Sequence, residues 1–302
     1  MDTVKIGIIG TGWIAEKMAI TLEGMEGVEA YAVASRQLQT ACDFADRWGF
    51  TRAYGSYEEM LDDEEVELVY IATPHSHHFE HARMSLLKGK AVLCEKAFTA
   101  NARQAEELLN LAKEKELFIT EAIWTRYMPL SHTINDLVTS GIIGRPMTLS
   151  ANLGYPIGNR ERLRQPALAG GALLDLGVYA LNFASMVFGT EVERVTSTCV
   201  KTDTGVDAQN SITLTFKDGK IAVLHSSMLS MTDRQGIISG DKGHLIIENI
   251  NNPQRIRVVT EDYKTAVVYN CPPQITGYEY QVYASRSEEH TSELQSPAHL
   301  VC

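Results

Sequence analysis

The chain has 302 residues, 44% hydrophobic and 22% charged, with a formal net charge of -11. That length supports two domains with cores, and the acidic balance argues against nucleic acid or an anionic membrane as partner. No apolar run approaches the roughly 20 residues of a spanning helix, and the N-terminus lacks a signal-peptide pattern. Five cysteines (Cys42, Cys94, Cys199, Cys271, Cys302) without metal-ligand or redox spacing fit a reduced, cytoplasmic protein.

The first strong pattern is V-K-I-G-I-I-G-T-G-W-I-A, Val4 to Ala15. A β-branched run ends in Gly10, Thr11, Gly12, Trp13 and Ile14, and helical spacing follows at once, so the segment reads as strand, tight turn and helix start. Gly10 permits the turn, Gly12 admits a pyrophosphate to the backbone, and Ala15 is small enough for helix to pack on strand. The helix start offers unpaired N–H groups to phosphate. A second strand, Val28 to Ala34, ends in Ser35 and Arg36 where an NAD site would place a carboxylate. A hydroxyl and a guanidinium suit a ribose 2'-phosphate, so NADP is expected, with NAD possible.

Further on, Leu38 to Trp48 has helical spacing, and Ser56 to Glu59 has capping-box form. Leu68 to Ala72 and Ala91 to Cys94 read as strands, Phe79 to Leu87 and Ala102 to Lys115 as helices, and Phe118 to Ala122 as a sixth strand. Apolar strands alternating with helices define a doubly wound parallel sheet over residues 1–122. A second, α+β domain is expected over 123–285. It has a helix from Leu130 to Thr139 and another from about Ala172 to Phe188. Its strands are Met147–Leu153, Val192–Val200, Ser211–Phe216, Ile221–Ser227, His244–Ile247, Ile256–Val259 and Ala266–Tyr269. Asp218-Gly219 marks a hairpin, and the whole suggests a large, mostly antiparallel open sheet with one face free or paired with a second subunit. Residues 286–302 resemble a translated sequencing-library adapter and are expected to be a non-native tail, which would leave the second domain truncated.

Ligands in such sheets gather beyond the strand carboxyl ends. There the chain places Thr73, Pro74, His75 and His78, then Glu95 and Lys96, then Glu121 to Arg126, including Trp124. Burial of Lys96 near a nicotinamide would suit it to proton transfer; a plain surface lysine is the bland reading. In Gly170 to Tyr179, Asp175 and Tyr179 are four apart and would share a helix face, with Gly170, Gly171 and Gly177 allowing close approach. His75, His77, His78 and His81 invite a metal reading, but no carboxylate or cysteine completes a shell, so no metal is expected. A hydrogen-bonding role for His78 beside nicotinamide or substrate competes with a structural one.

Together G-T-G-W-I-A, T-P-H-S-H-H, C-E-K and G-G-A-L-L-D-L-G-V-Y resemble the Gfo/Idh/MocA family of nicotinamide-dependent oxidoreductases. Within it, E-A-I-W-T-R-Y, S-M-V-F-G and T-G-V-D look most like the dimeric dihydrodiol and NADP-dependent xylose dehydrogenases. The resemblance implies a Rossmann domain, a C-terminal domain whose open sheet forms a homodimer interface, and hydride transfer between nicotinamide and a carbinol or carbonyl carbon of a sugar or cyclic diol. It makes Lys96 the lysine of an E-K-P motif, and Asp175 and Tyr179 the acid and last position of G-G-x-x-x-D-x-G-x-H. Ala97 replaces the motif's proline, so a trans peptide, or else a strained site, is expected there. Tyr179 replaces the histidine, making a phenol the proton-transfer group, its ionisation favoured by the Lys96 ammonium. Lys96 alone is the other candidate. Asp175 would orient Lys96 or bind a sugar hydroxyl, Trp124 would wall the pocket, Arg126 would contact substrate, and Arg160, Arg162 and Arg164 would line the cleft or lie in a solvated loop. Two other functions stay open: a non-catalytic NADP sensor, and an enzyme that retains its cofactor between two substrates.

Overall fold

The computed structural model describes residues 3–286, which form two compact units. The first holds residues through Ala122 and those from Gln274 onward; the second holds Ile123–Pro273. The return of the chain to the first unit at Gln274 corrects the expected assignment of everything from 123 to 285 to one domain. The expected tail lies outside the described residues except for Arg286. That residue closes the last helix, and its Nη1 donates to Glu26 O at 3.0 Å.

In the first unit, β1 (Val4–Ile9), β2 (Val28–Ala34), β3 (Arg52–Tyr54), β4 (Leu68–Ile71), β5 (Ala91–Glu95) and β6 (Ile119–Ala122) form one sheet in the order β3-β2-β1-β4-β5-β6. All pairs are parallel. Between them run α1 (Trp13–Glu23), α2 (Leu38–Trp48), α3 (Tyr57–Leu61), α4 (His75–Leu87) and α5 (Ala102–Glu114). Parallel strands need these crossovers, and covering both sheet faces is why β4 carries four buried residues in succession. Ile8, Tyr70 and Leu93 belong to one core, Ile9, Ile71 and Cys94 to the other. The capping box at α3 forms: Ser56 Oγ accepts from the Glu59 N–H at 3.2 Å. Only β3, three residues long, had no sequence signal.

The second unit contains α6 (Pro129–Thr139), β7 (Pro146–Gly154), α7 (Glu161–Arg164), α8 (Val178–Phe188), β8 (Val192–Lys201), β9 (Asp207–Phe216), β10 (Ile221–Ser227), β11 (Gly236–Gly240), β12 (Gly243–Glu248), β13 (Arg255–Thr260) and β14 (Thr265–Asn270). The eight strands form one sheet, β14-β13-β12-β11-β7-β10-β9-β8. It is antiparallel except where β7 meets β10. Strand β11 has no counterpart among the expected strands, although it sits inside the sheet. Glycines bound this short strand, and Gly236 is required because a Cβ there would meet the Phe183 ring of α8 at 2.6 Å. The Asp218-Gly219 hairpin joins β9 to β10 as expected, with Gly219 at φ +86°. Finally, α9 (Glu279–Arg286) belongs to the first unit.

Two other expectations change. Pro166–Phe188, 23 residues with a window of mean hydropathy 1.5, is apolar enough by length and composition to cross a membrane, which corrects the expectation that no apolar run reaches that length. It is interrupted by Ala169 in the left-handed region, and the qualifying window is 67% buried, as suits a core segment under the second sheet. Its helical part is also not uniform: a π-type turn, Leu173–Gly177, precedes α8. Asp175 and Tyr179 therefore do not follow the simple one-face spacing of an α-helix.

Candidate functional site

The glycine turn of the first unit is built as its sequence requires. Gly10 has φ +106°, and a Cβ there would meet Ala72 O at 2.9 Å, so a side chain is excluded by conformation and space. Gly12 caps α1 and is exposed, with nothing within 4 Å of where its Cβ would be. Ala15 is fully buried, Ile14 packs partly on the same core, and Trp13 is 63% exposed beside Thr11, with the Lys17 ammonium over its ring. An open backbone at a helix start fits a dinucleotide pyrophosphate. At the end of β2, the Ser35 N–H donates to Tyr54 O at 3.2 Å, and exposed Arg36 carries a charge that acts on the Tyr57 phenol.

After β4, Thr73 and Pro74 lead into α4, and His75 is buried with its ring edge-on to His78. The fully buried His78 ring lies between two backbone carbonyls, Nδ1 at 2.7 Å from Ala97 O and Nε2 at 2.8 Å from Thr73 O. It joins the loops after β4 and β5. Burial pushes both His78 and His81 down to about 4. Among the described residues no group of three or more histidines, cysteines and carboxylates is arranged for a metal.

Lys96 is half-buried just beyond β5. The Lys96–Ala97 peptide is cis, where a trans peptide, or else a strained site, was expected. The turn around it is fixed at three points: the Lys96 N–H donates to Glu95 Oε2 at 3.2 Å, Ala97 O faces His78, and the Phe98 N–H donates to Glu121 Oε1 at 2.9 Å. Glu95 was expected to contact cofactor, yet its carboxylate is buried and takes the Tyr70 hydroxyl. Alternation along β5 explains the change, since Glu95 follows Leu93 into the core.

In the second unit, Trp124 and Tyr179 meet: the indole Nε1–H donates to the phenol oxygen at 3.0 Å, and both residues are buried. Trp124 was expected to wall the pocket, and its contact with Tyr179 had no sequence signal. Arg126, expected to contact substrate, turns into α8, Nε donating to Asn182 Oδ1 at 3.0 Å and Nη2 to Ser185 Oγ at 3.1 Å. Asp175, 4% exposed, accepts from both terminal nitrogens of Arg162 at 3.2 Å. Of the three loop arginines, Arg164 pairs with exposed Asp203.

The glycines around Asp175 admit the chain itself. A Cβ on Gly170 would meet Leu163 O at 2.5 Å, one on Gly171 would collide with the Asp207 carboxylate, and one on Gly177 would meet Leu173 at 3.0 Å. Asp207 in turn accepts from the Leu173 N–H at 2.8 Å and holds the start of the π turn.

A six-stranded parallel sheet in this order, with a glycine turn open at the first helix, defines a dinucleotide-binding α/β fold. Comparison with known proteins agrees. Residues 4–122 match the oxidoreductase family with NAD-binding Rossmann fold, and 131–246 match the GFO/IDH/MocA C-terminal domain. The chain belongs to the Gfo/Idh/MocA family of nicotinamide-dependent oxidoreductases.

Among its relatives is a trans-1,2-dihydrobenzene-1,2-diol dehydrogenase of Mus musculus, 34% identical, with 92% of this chain and 82% of the relative aligned. A D-xylose 1-dehydrogenase (NADP(+)) of Hypocrea jecorina is 36% identical over 89% of this chain and 78% of its own. The crystal structure of a 3-ketoreductase, KijD10, of Actinomadura kijaniata, in complex with NADP and TDP-benzene, superimposes with a TM-score of 0.86 at 26% identity. It covers 97% of this chain and 93% of that one.

Proposed function

We propose that the chain catalyses reversible NADP-dependent oxidation of a carbinol carbon in a sugar or cyclic diol. The reading rests on Tyr179, a buried phenol whose oxygen accepts from Trp124 at 3.0 Å. Relatives that act on a trans-dihydrodiol and on D-xylose supply the substrate class, and Arg36 at the end of β2 supports NADP. When bound, NADP supplies the hydride acceptor. Tyr179 takes the hydroxyl proton, because a donor to its oxygen stabilises the ionised phenol. Asp175, paired with Arg162, accepts from a neighbouring substrate hydroxyl.

The protein works in this reading as a cytoplasmic homodimer joined through the second-unit sheet. Support comes from one row across its outer face, Ile246, Ile237, Ser150, Val223, Thr213 and Thr196, whose members are in register. Such a row of small and β-branched side chains suits a flat packed interface, with Val223 49% exposed. The test is reduction of NADP and NAD by a panel of aldoses and trans-dihydrodiols, with molar mass by light scattering. Reduction of NADP by a panel member supports the reading; no reduction of either nucleotide by any panel member overturns it. A monomer at assay concentration overturns the dimer alone.

A further inference from the structure

Beneath the Lys96 turn, the first unit buries an acid–phenol pair that the proposed chemistry leaves unused. Glu95 ends β5 at 5% exposure, and its Oε1 accepts from the hydroxyl of Tyr70 on β4, itself 1% exposed. The other carboxylate oxygen accepts from the backbone N–H of Lys96. On the next strand, buried Glu121 accepts from the Phe98 N–H at 2.9 Å. The three-residue turn Lys96-Ala97-Phe98 thus hangs between two buried carboxyl groups, one at each end.

A buried carboxylate stays ionised only with hydrogen bonds and a nearby cation, and two on neighbouring strands disfavour each other's charge. The cation acting on Glu95 is Lys96, and the opposing carboxylate is Glu121. Helix α1 covers this sheet face with Ala15, Met18, Ala19 and Leu22, which bring no charge. Val282 of α9 is likewise apolar.

We propose that Glu95 is a positioning residue for Lys96: with Tyr70 it forms a proton-holding pair inside the sheet that fixes the Lys96 turn and changes the electrostatic field there with pH. Desolvation pushes the Glu95 carboxyl up to about 7, against the lowering effects of the Tyr70 hydroxyl, the Lys96 cation and the Lys96 amide; the Glu121 charge adds to the rise. The group therefore switches between neutral acid and carboxylate across the neutral range.

The inference rests on Lys96 being a site residue, as read above. Its test compares the full chain with Glu95→Gln, Glu95→Asp and Tyr70→Phe over pH 5.5 to 9. Measured are kcat/KM for NADP reduction, NADPH affinity by fluorescence, and the infrared band of protonated carboxyl. The wild type should show a carboxyl band that titrates near 7 and is absent in Glu95→Gln, with a kcat/KM that rises through the same range. Glu95→Gln should lose that step and fall about tenfold at pH 8, the scale of one pKa unit of interaction. Glu95→Asp should keep a step, and Tyr70→Phe should move it upward, because it removes a bond that favours the carboxylate. Tyr70→Phe carries the test if Glu95→Gln fails to fold. A Glu95→Gln enzyme that keeps the step, or stays within about twofold of wild type at pH 8, overturns the inference, as does a wild type without the band. Should no substrate be oxidised by the wild type, the proposed function fails. The pH dependence of NADPH affinity then decides this inference: a step near 7 that Glu95→Gln abolishes sustains it, and identical profiles overturn it.

Discussion

The indole N–H of Trp124 donates to the hydroxyl oxygen of Tyr179 at 3.0 Å. A donor there favours phenolate over phenol, so it assists a tyrosine that must accept a proton. Hydrogen bonds to charged groups contribute about 1.5 to 3 kcal/mol, so Trp124→Phe should lower kcat roughly ten- to hundredfold, with a smaller effect on KM. Tyr179→Phe should lower it by about 10² to 10⁴, the usual contribution of a general base. Steady-state kinetics check both; near-normal turnover of Tyr179→Phe would transfer the proton role to Lys96.

Gly10 and Gly12 should respond differently although they share one motif. Gly10 has φ +106° and no room for a Cβ beside Ala72 O, so Gly10→Ala should destabilise the fold by about 1 to 3 kcal/mol. Gly12 faces open space, so Gly12→Val should leave the melting temperature nearly unchanged while abolishing NADPH binding. Thermal melts and fluorescence titrations separate the two effects.

Exposed Arg36 sets coenzyme choice in our reading. Arg36→Glu should weaken NADP binding by roughly ten- to hundredfold, the scale of a charged hydrogen bond, and leave NAD binding equal or better. Titration with both nucleotides measures the ratio. Unchanged selectivity would remove Arg36 from the site.

Acid should destabilise the first unit through its histidines. Burial holds His78 and His81 at about 4, below the unfolded value of 6.5, so the unfolded chain binds more protons as pH falls from 6.5 toward 4 and stability drops in that window. Glu95, raised to about 7, has the opposite sign: its penalty is full above 7 and is relieved as pH falls toward 4.5. Melting temperatures between pH 7 and 5 should fall in the wild type, less steeply in His81→Gln and more steeply in Glu95→Gln. An identical slope in all three proteins would contradict the assignment.

Much of the first unit was legible because its signals are local. The glycine turn, the apolar strands and the Ser56 cap each depend on a few consecutive residues, and all form where expected. The second sheet was partly legible: alternation marked seven strands, while β11 was hidden because Gly236 exists to admit Phe183, a distant residue. Site residues were legible as types but less so as contacts. Glu95 stands at a strand end where cofactor contacts gather, yet strand parity turns it into the core toward Tyr70. Arg126 reads as a ligand arginine, but α8 supplies Asn182 and Ser185 one turn apart to hold it.

The sequence by itself determined the dinucleotide turn, the alternation of strand and helix, and the presence of Lys96, Asp175 and Tyr179 in their motifs. Backbone conformation at glycine, hydrophobic period and helix capping are short-range properties that neighbouring residues dictate. Only the tertiary structure decided that Trp124 holds Tyr179, that Arg162 holds Asp175, that His78 joins the loops carrying Thr73 and Ala97, and that the chain returns to the first unit at Gln274. Those relationships join residues far apart in the chain, and they are set by which buried polar groups must find partners once the strands have paired.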